Sequence, residues 1–212
     1  MKIFRLLALL FVAAGARAAS DVPESPFEVR PLLIGALAPD APLRALDGKA
    51  LSLKSRLAGK PTVLVFYRGG WCPYCNLQLS ALKDVQNDLA ALGYQTLAVA
   101  PDRPEELRKT LDKHGLPYAL LSDAKMDAAR AYGLAFRVDT GTIKKYAEYG
   151  IDLEKSSGEK HHWLPVPAVF LIDKDGKIVF VYVNPDYKVR LNGGVLLAAA
   201  KASLEAPAPK PR

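Results

Sequence analysis

Cys72 and Cys75 are the only cysteines in the chain, and two residues separate them in the stretch Phe66-Tyr67-Arg68-Gly69-Gly70-Trp71-Cys72-Pro73-Tyr74-Cys75. The apolar run 62–67 reads as a buried strand. Gly69 and Gly70 then permit a tight turn, and a helical pattern begins at the cysteines. A helix N-terminus exposes unpaired N–H groups and carries roughly half a positive charge. A thiolate placed there is favoured over a thiol, and its pKa falls from about 8.5 toward roughly 3.5 to 7.5. The thiolate is the attacking form. The second sulfur, one helical turn away, can trap the first oxidation product as a disulfide. Strand, turn and Cys-x-x-Cys at a helix start is thus a redox constellation, with attack and resolution inside one motif.

Other chemistries fit these residues less well. A structural disulfide closing so short a loop stabilises by only roughly 2 kcal/mol, against about 4.7 kcal/mol for a loop of about 100 residues. A structural zinc needs four ligands. Cys72, Cys75, His161 and His162 supply that number, but their spacing matches no common zinc pattern. A c-type haem requires histidine directly after the second cysteine, where Asn76 stands. Neither a cofactor nor a metal is therefore expected. Arg68 is a candidate for steadying a thiolate or a peroxide, with an ordinary surface charge as the alternative. Trp71 is expected to shield the pair from water. Tyr187 and Arg190 are further candidates. His161 and His162 precede the loop of Pro165 and Pro167 and are read as exposed loop residues.

The elements that must position the pair follow from pattern. Residues 43–46 and 50–53 flank Asp47-Gly48, a hairpin signal. Residues 55–58 read as a short helical turn. After Cys75, Leu79, Leu82, Val85, Leu89 and Leu92 recur at helical spacing, and Gly93 is a stop. Residues 96–100 form the next strand. Asp102, with Glu105 three residues on, gives a capping-box signal for a helix that contains Pro104 and ends near Gly115. A strand at 118–121 and a short helix at 124–132 come next. Residues 136–163 mix charges, glycines and aromatics, and read as an insertion with a short helix around 142–146. Residues 168–172 and 177–183 form a hairpin across Asp173-Lys174-Asp175-Gly176, and 194–204 a terminal helix. This order predicts an α/β chain with a mixed central sheet and helices on both faces.

With Cys72-Pro73-Tyr74-Cys75 after a central strand, and Val166-Pro167-Ala168-Val169-Phe170-Leu171-Ile172-Asp173 near the end, the chain resembles the thioredoxin superfamily. It is most similar to the peroxiredoxin-like branch of the alkyl hydroperoxide reductase and thiol-specific antioxidant family. The likeness spans about residues 35–204, and 63–79, 164–176 and 183–187 carry it. It implies a thioredoxin-like fold with an N-terminal hairpin and an insertion before the last hairpin. It also implies a cis Pro167 facing the pair, and re-reduction by a thioredoxin-like donor. The departures matter too. Ordinary peroxiredoxins carry Pro-x-x-x-Thr/Ser-x-x-Cys. On this chain the attacking cysteine of that pattern falls on Cys75, the Thr/Ser on Cys72 and the proline on Arg68. The arginine that assists peroxide reduction falls at about Pro167, so Arg68 or Arg190 would have to replace it. Thioredoxins instead attack with the first cysteine, here Cys72, which is expected to be the more exposed. The nucleophile stays open between the two.

Half of the 212 residues are hydrophobic, enough for one domain with extensions. Three charges of the net +7 are Lys2, Arg5 and Arg17 of the N-terminal stretch, and the remaining +4 is spread too thinly to argue for nucleic acid. Residues 1–18 read as a signal peptide: a charged start, an apolar run at 6–14 too short to span a membrane, and Ala16-Arg17-Ala18 at the cleavage point. The expected organisation is leader 1–18, lead-in 19–34, thioredoxin-like domain 35–204 and disordered tail 205–212. The mature protein is expected in the periplasm, an oxidising space, without stable membrane insertion. The expected function is an exported thiol peroxidase acting on hydrogen peroxide or organic hydroperoxides. A thiol–disulfide oxidoreductase for exported proteins is the alternative, and a binding module without turnover a third.

Overall fold

The computed structural model describes residues 22–205. The expected signal peptide at 1–18 lies outside the described residues, as does the tail beyond 205. In chain order the elements are β1 (Pro42–Arg44), β2 (Ala50–Ser52), α1 (Leu53–Leu57), β3 (Thr62–Phe66), α2 (Pro73–Ala91), β4 (Gln95–Ala100) and α3 (Pro104–His114). β5 (Ala119–Ser122), α4 (Asp127–Ala131), β6 (Ala135–Arg137), α5 (Thr140–Glu148) and α6 (Leu153–Ser157) follow. The chain closes with β7 (Trp163–Pro165), β8 (Ala168–Ile172), β9 (Ile178–Val183) and α7 (Gly193–Glu205).

Seven strands form one sheet in the order β2-β1-β5-β4-β3-β8-β9. β3 runs parallel to β4, and β4 to β5, while β8 and β9 are antiparallel, as is the β1–β2 hairpin. Both β3 and β8 are buried at every residue, which is why their sequences are continuous apolar runs rather than alternating ones. Side-chain alternation along β3 divides the core. Leu64 and Phe66 point to the face covered by α1 and α4, with Tyr132 and Phe170. Val63, Val65 and Tyr67 point to the face that holds Leu79 of α2, Leu107 of α3, Leu196 of α7 and both cysteines. The mixed sheet with helices on both faces is thus as the pattern predicts.

α2 begins where the motif needs it. Cys72 is its N-cap in extended backbone, and Pro73, whose missing N–H costs nothing in the first turn, occupies the start of the helix. Leu79, Leu82 and Leu89 face the sheet, and Gly93 beyond the end takes φ 84°.

Several expectations need correction. Asp102 does not cap α3; Arg103 is the N-cap and makes no side-chain cap bond, because the Asp102 carboxylate turns inward to another donor. Pro167 is trans, as are all peptide bonds of the described residues. It sits in an extended run from β7 into β8, where the amide of Val166 donates to Leu134 O at 2.9 Å, so the lower-energy isomer already meets the local geometry. Glu205, assigned to the tail, ends α7. The insertion at 136–163 is more ordered than its composition suggests. β6 and β7 pair as a separate ribbon, and Asp139 and Asp152 cap α5 and α6 through Thr142 N and Lys155 N at 2.8 and 2.9 Å. Val138, Leu153 and Leu164 form its own small core, against which Trp71 packs.

Under the sheet, the Phe170 ring meets Tyr132 at 5.2 Å and Phe66 at 6.1 Å between centroids. Phe170→Ala is expected to cost about 3–5 kcal/mol, read as a lowered urea midpoint with an unchanged slope. A cost within 1 kcal/mol of zero would contradict this packing.

Candidate active site

The turn before α2 is built by exclusion. A Cβ on Gly70 would collide with Thr110 Oγ1 of α3, and one on Gly69, at φ 142°, would stand 2.8 Å from Asp102 Oδ1. Only glycine lets the backbone pass there. Cys72 N donates to Gly69 O at 3.2 Å, and Asn76 Nδ2 donates to Gly70 O at 2.8 Å. Gly70 N donates to Asp102 Oδ2 at 2.7 Å. The turn is thereby tied to both the β4–α3 loop and the first turn of α2.

Both sulfurs are enclosed. Cys72 is 1% exposed and Cys75 0%; the first cysteine is the less enclosed of the two, as expected, but it too lies below the surface. Trp71, Tyr187 and Leu191 pack into the same cluster and cover the helix tip. The two thiols nevertheless differ. The Cys75 thiol donates a hydrogen bond to the Cys72 sulfur, and this contact, with help from Arg68, the Cys75 N–H and Arg190, holds Cys72 down to about 6 against its burial. Burial pushes Cys75 far up, and the bond and charge at Cys72 push it further, with Arg190 opposing. Near neutral pH the pair therefore carries one negative charge shared between the two sulfurs.

Two guanidiniums serve this charge. Arg190, in the segment after β9, donates from Nη2 to Cys75 Sγ at 3.3 Å and from Nη1 to Gln78 Oε1 at 3.0 Å. Arg68 is buried, not a surface charge. Its Cζ lies 4.0 Å from the Tyr187 ring centroid, 5.2 Å from Trp71 and 5.6 Å from Tyr146, and its Nη2 donates to the Tyr146 hydroxyl. An aromatic cage of this kind attracts a cation through the ring quadrupoles and fixes its direction. Trp71 packs on Tyr146 at 5.6 Å, consistent with a shielding role. Pro167, Arg68, Tyr146 and Tyr187 share a cavity of about 240 Å³ that neither cysteine lines.

The structure therefore brings together Cys72, Cys75, Arg68, Trp71, Tyr187 and Arg190, and sets Pro167 at the cavity wall. The histidines stand apart. His161 stacks on Trp163 and bonds Ala124 O through Nε2 at 2.8 Å, while His162 Nε2 lies 2.9 Å from Glu154 Oε1. Neither is hydrogen-bonded to a sulfur, and neither is a simple exposed loop residue. Gln78, Tyr146 and Asp102 were missed. Gln78 carries a signal, three residues after Cys75 and on its helix face; Tyr146 lies in a stretch without periodicity, and Asp102 resembles a cap. Among the described residues, no cluster of three or more histidine, cysteine or acidic side chains could hold a metal.

A thioredoxin-like sheet with a Cys-x-x-Cys at the tip of its central helix defines a thiol-based oxidoreductase. The sequence profile described as the AhpC/TSA family matches residues 34–181, and the chain belongs to that family, on its peroxiredoxin-like side. Among its relatives, "Peroxiredoxin Bcp" of Bacillus subtilis (strain 168) is 31% identical over 147 residues, which are 69% of this chain and 82% of the relative. "Peroxiredoxin Bcp" of Escherichia coli (strain K12) is 29% identical over 169 residues, 80% and 96% of the two chains. Peroxidoxin BcpB from Mycobacterium tuberculosis shares the fold at TM-score 0.60 and 22% identity, covering 80% of this chain and 96% of that one. A Chlorobium tepidum chain described as thiol:disulfide interchange protein DsbE does so at TM-score 0.53 and 23% identity, covering 82% and 99%.

Thiolate absorbance at 240 nm is expected to rise with a midpoint near pH 6, and to vanish below pH 8 in Cys72→Ser. Arg68→Met, which removes a buried positive charge, is expected to raise that midpoint by about one unit. A midpoint above 8 in the wild type would contradict this arrangement.

Proposed function

We propose that the protein is an exported thiol peroxidase in which Cys72 attacks and Cys75 resolves. The observation that carries this reading is the enclosure of an ionised sulfur. A sulfur that is 1% exposed in the reduced chain favours a small oxidant, hydrogen peroxide or a compact organic hydroperoxide, over the disulfide of a folded protein. The Cys72 thiolate attacks the terminal oxygen of ROOH. The O–O bond breaks, Cys72 becomes a sulfenic acid, and the alkoxide takes a proton to leave as ROH. Cys75 then attacks the Cys72 sulfur; the S–S bond forms, and the hydroxyl leaves with the Cys75 proton as water. An external dithiol, of the thioredoxin-like class, returns two electrons. Arg68 and Arg190 supply the guanidinium that the family pattern places near Pro167. The stretch 1–18 would direct the chain to the periplasm, where a membrane-linked donor must supply reducing equivalents.

The family pattern puts the attacker at Cys75, whereas the ionisation order favours Cys72. A second reading, thiol–disulfide exchange with exported proteins, draws support from Tyr74 and Leu77. Both are exposed on the first turns of α2, Leu77 at 67%, and offer an apolar rim to a protein partner.

Stopped-flow oxidation of the fully reduced protein by hydrogen peroxide separates these. The wild type is expected to react at least a hundredfold faster than a free thiol. Cys72→Ser should abolish the fast phase, and Cys75→Ser should keep it but stop at the sulfenic acid. Loss of the fast phase in Cys75→Ser alone would move the attack to Cys75. A wild-type rate no faster than a free thiol would end the peroxidase reading in favour of disulfide exchange.

A further inference from the structure

Two aspartates are buried, Asp102 at 1% exposure and Asp123 at 3%, and their surroundings differ. Asp123 uses both oxygens at the start of α4, accepting from Ala128 N at 3.0 Å and Ala129 N at 2.8 Å. Asp102 accepts one bond, from Gly70 N. Its other oxygen, Oδ1, is buried without a hydrogen-bond partner and lies against Gly69, on the turn that carries the Cys72 amide. No ion pair among the described residues involves Asp102. A buried carboxylate with one donor and no cation is high in free energy, and a proton on the unpartnered oxygen relieves it.

The groups facing it do not compensate. From α3, Glu106 adds negative charge, and Lys109, which shares the adjoining cavity, is tied to Glu106 at 2.9 Å. Lys113 lines the same cavity of about 210 Å³, which borders the carboxyl. Arg103, next in the chain, pairs with Glu105 and Glu106. His161, His162 and Arg68 lie across a second, smaller cavity. At the end of β3, the Tyr67 phenol is held neutral by burial and by Asp102. Cys72 is the remaining charge, and it too opposes ionisation of Asp102.

We propose that Asp102 is the proton store of the redox pair: its carboxyl holds a proton while Cys72 is a thiolate and releases it when oxidation removes that charge. This rests on Cys72 being the ionised sulfur. Burial, helped by Glu106 and Cys72 and opposed by the Gly70 N–H, pushes Asp102 up to about 7, where such an exchange operates at neutral pH. The balance closes over a turnover. On oxidation, the proton that Asp102 releases matches the one that the alkoxide takes. On reduction, a donor dithiol delivers two electrons and two protons. One proton stays on Cys75 as Cys72 returns to thiolate, and the other restores Asp102. Asp102 is a positioning and proton-holding residue, not one that touches the peroxide.

The test compares thiolate titration at 240 nm in the reduced wild type and in Asp102→Asn, which keeps an acceptor for Gly70 N. The wild-type curve is expected to be broadened, because two coupled groups share it. The variant is expected to give a steeper one-proton curve that lies above the wild type between about pH 6 and 8, where Asp102 ionises in the wild type, and meets it at lower pH. Superimposable curves would overturn the proposal. Should Asp102→Asn fail to fold, infrared difference spectra of the wild-type chain decide. Reduced protein is compared with protein oxidised by oxidised dithiothreitol at pH 7, so no peroxidase activity is needed. A protonated-carboxyl band lost on oxidation supports the proposal, and an unchanged carboxyl region overturns it. If the thiolate signal disappears in Cys75→Ser and survives in Cys72→Ser, the assignment of the ionised sulfur fails instead.

Discussion

One hydrogen bond, from the Cys75 thiol to the Cys72 sulfur, shifts the two thiols in opposite directions. It needs both sulfurs on the first turn of α2, and so it depends on the glycine turn that delivers the chain there. It also needs burial, because in water the solvent would supply either sulfur with a partner. The sheet provides that burial: β3 and β8 are covered on both faces, and the helix tip sits over their ends. In a water-poor pocket a single S–H···S⁻ contact and two guanidiniums outweigh the desolvation of one thiolate, where on an open surface they would be screened.

The family pattern has been rebuilt around a second cysteine. A cysteine occupies the position where peroxiredoxins carry Thr/Ser, an arginine replaces the proline, and a proline stands where the assisting arginine belongs. These exchanges are coupled physically. The two sulfurs lie within one helical turn, and the chain has no other cysteine. The positive charge lost near Pro167 returns from two directions: Arg68, held among Tyr187, Trp71 and Tyr146, and Arg190, held by Gln78. Neither enters from β8, so the charge distribution is kept while its scaffold has moved.

Most of the fold was legible because its signals are local. The stripe from Leu79 to Leu92, the Asp47-Gly48 hairpin and the αL glycine at 115 each state an element within a few residues. The cysteine pair was legible for the same reason. Asp102 was not, since the same Asp-x-x-Glu spacing serves a helix cap and a carboxylate that turns to a distant amide, and only the neighbour at Gly70 distinguishes them. Arg190 and Tyr146 follow from three-dimensional closure, 115 and 78 residues from the partners that they meet. The isomer of Pro167 was taken from likeness rather than from local physics. That Cys72 is the less enclosed sulfur follows from its place at the helix tip, whereas the enclosure of both does not, because a helix tip alone says nothing of what later folds over it.

α5 buries none of its residues deeply and meets the site through Tyr146, which touches Trp71 and Arg68. A helix so lightly moored opens at a fraction of the free energy that global unfolding requires. The surroundings of Arg68 and the burial of the sheet therefore come from different parts of the chain. Substitutions on α5 can change the surroundings of Arg68 without removing side chains from the core of the sheet.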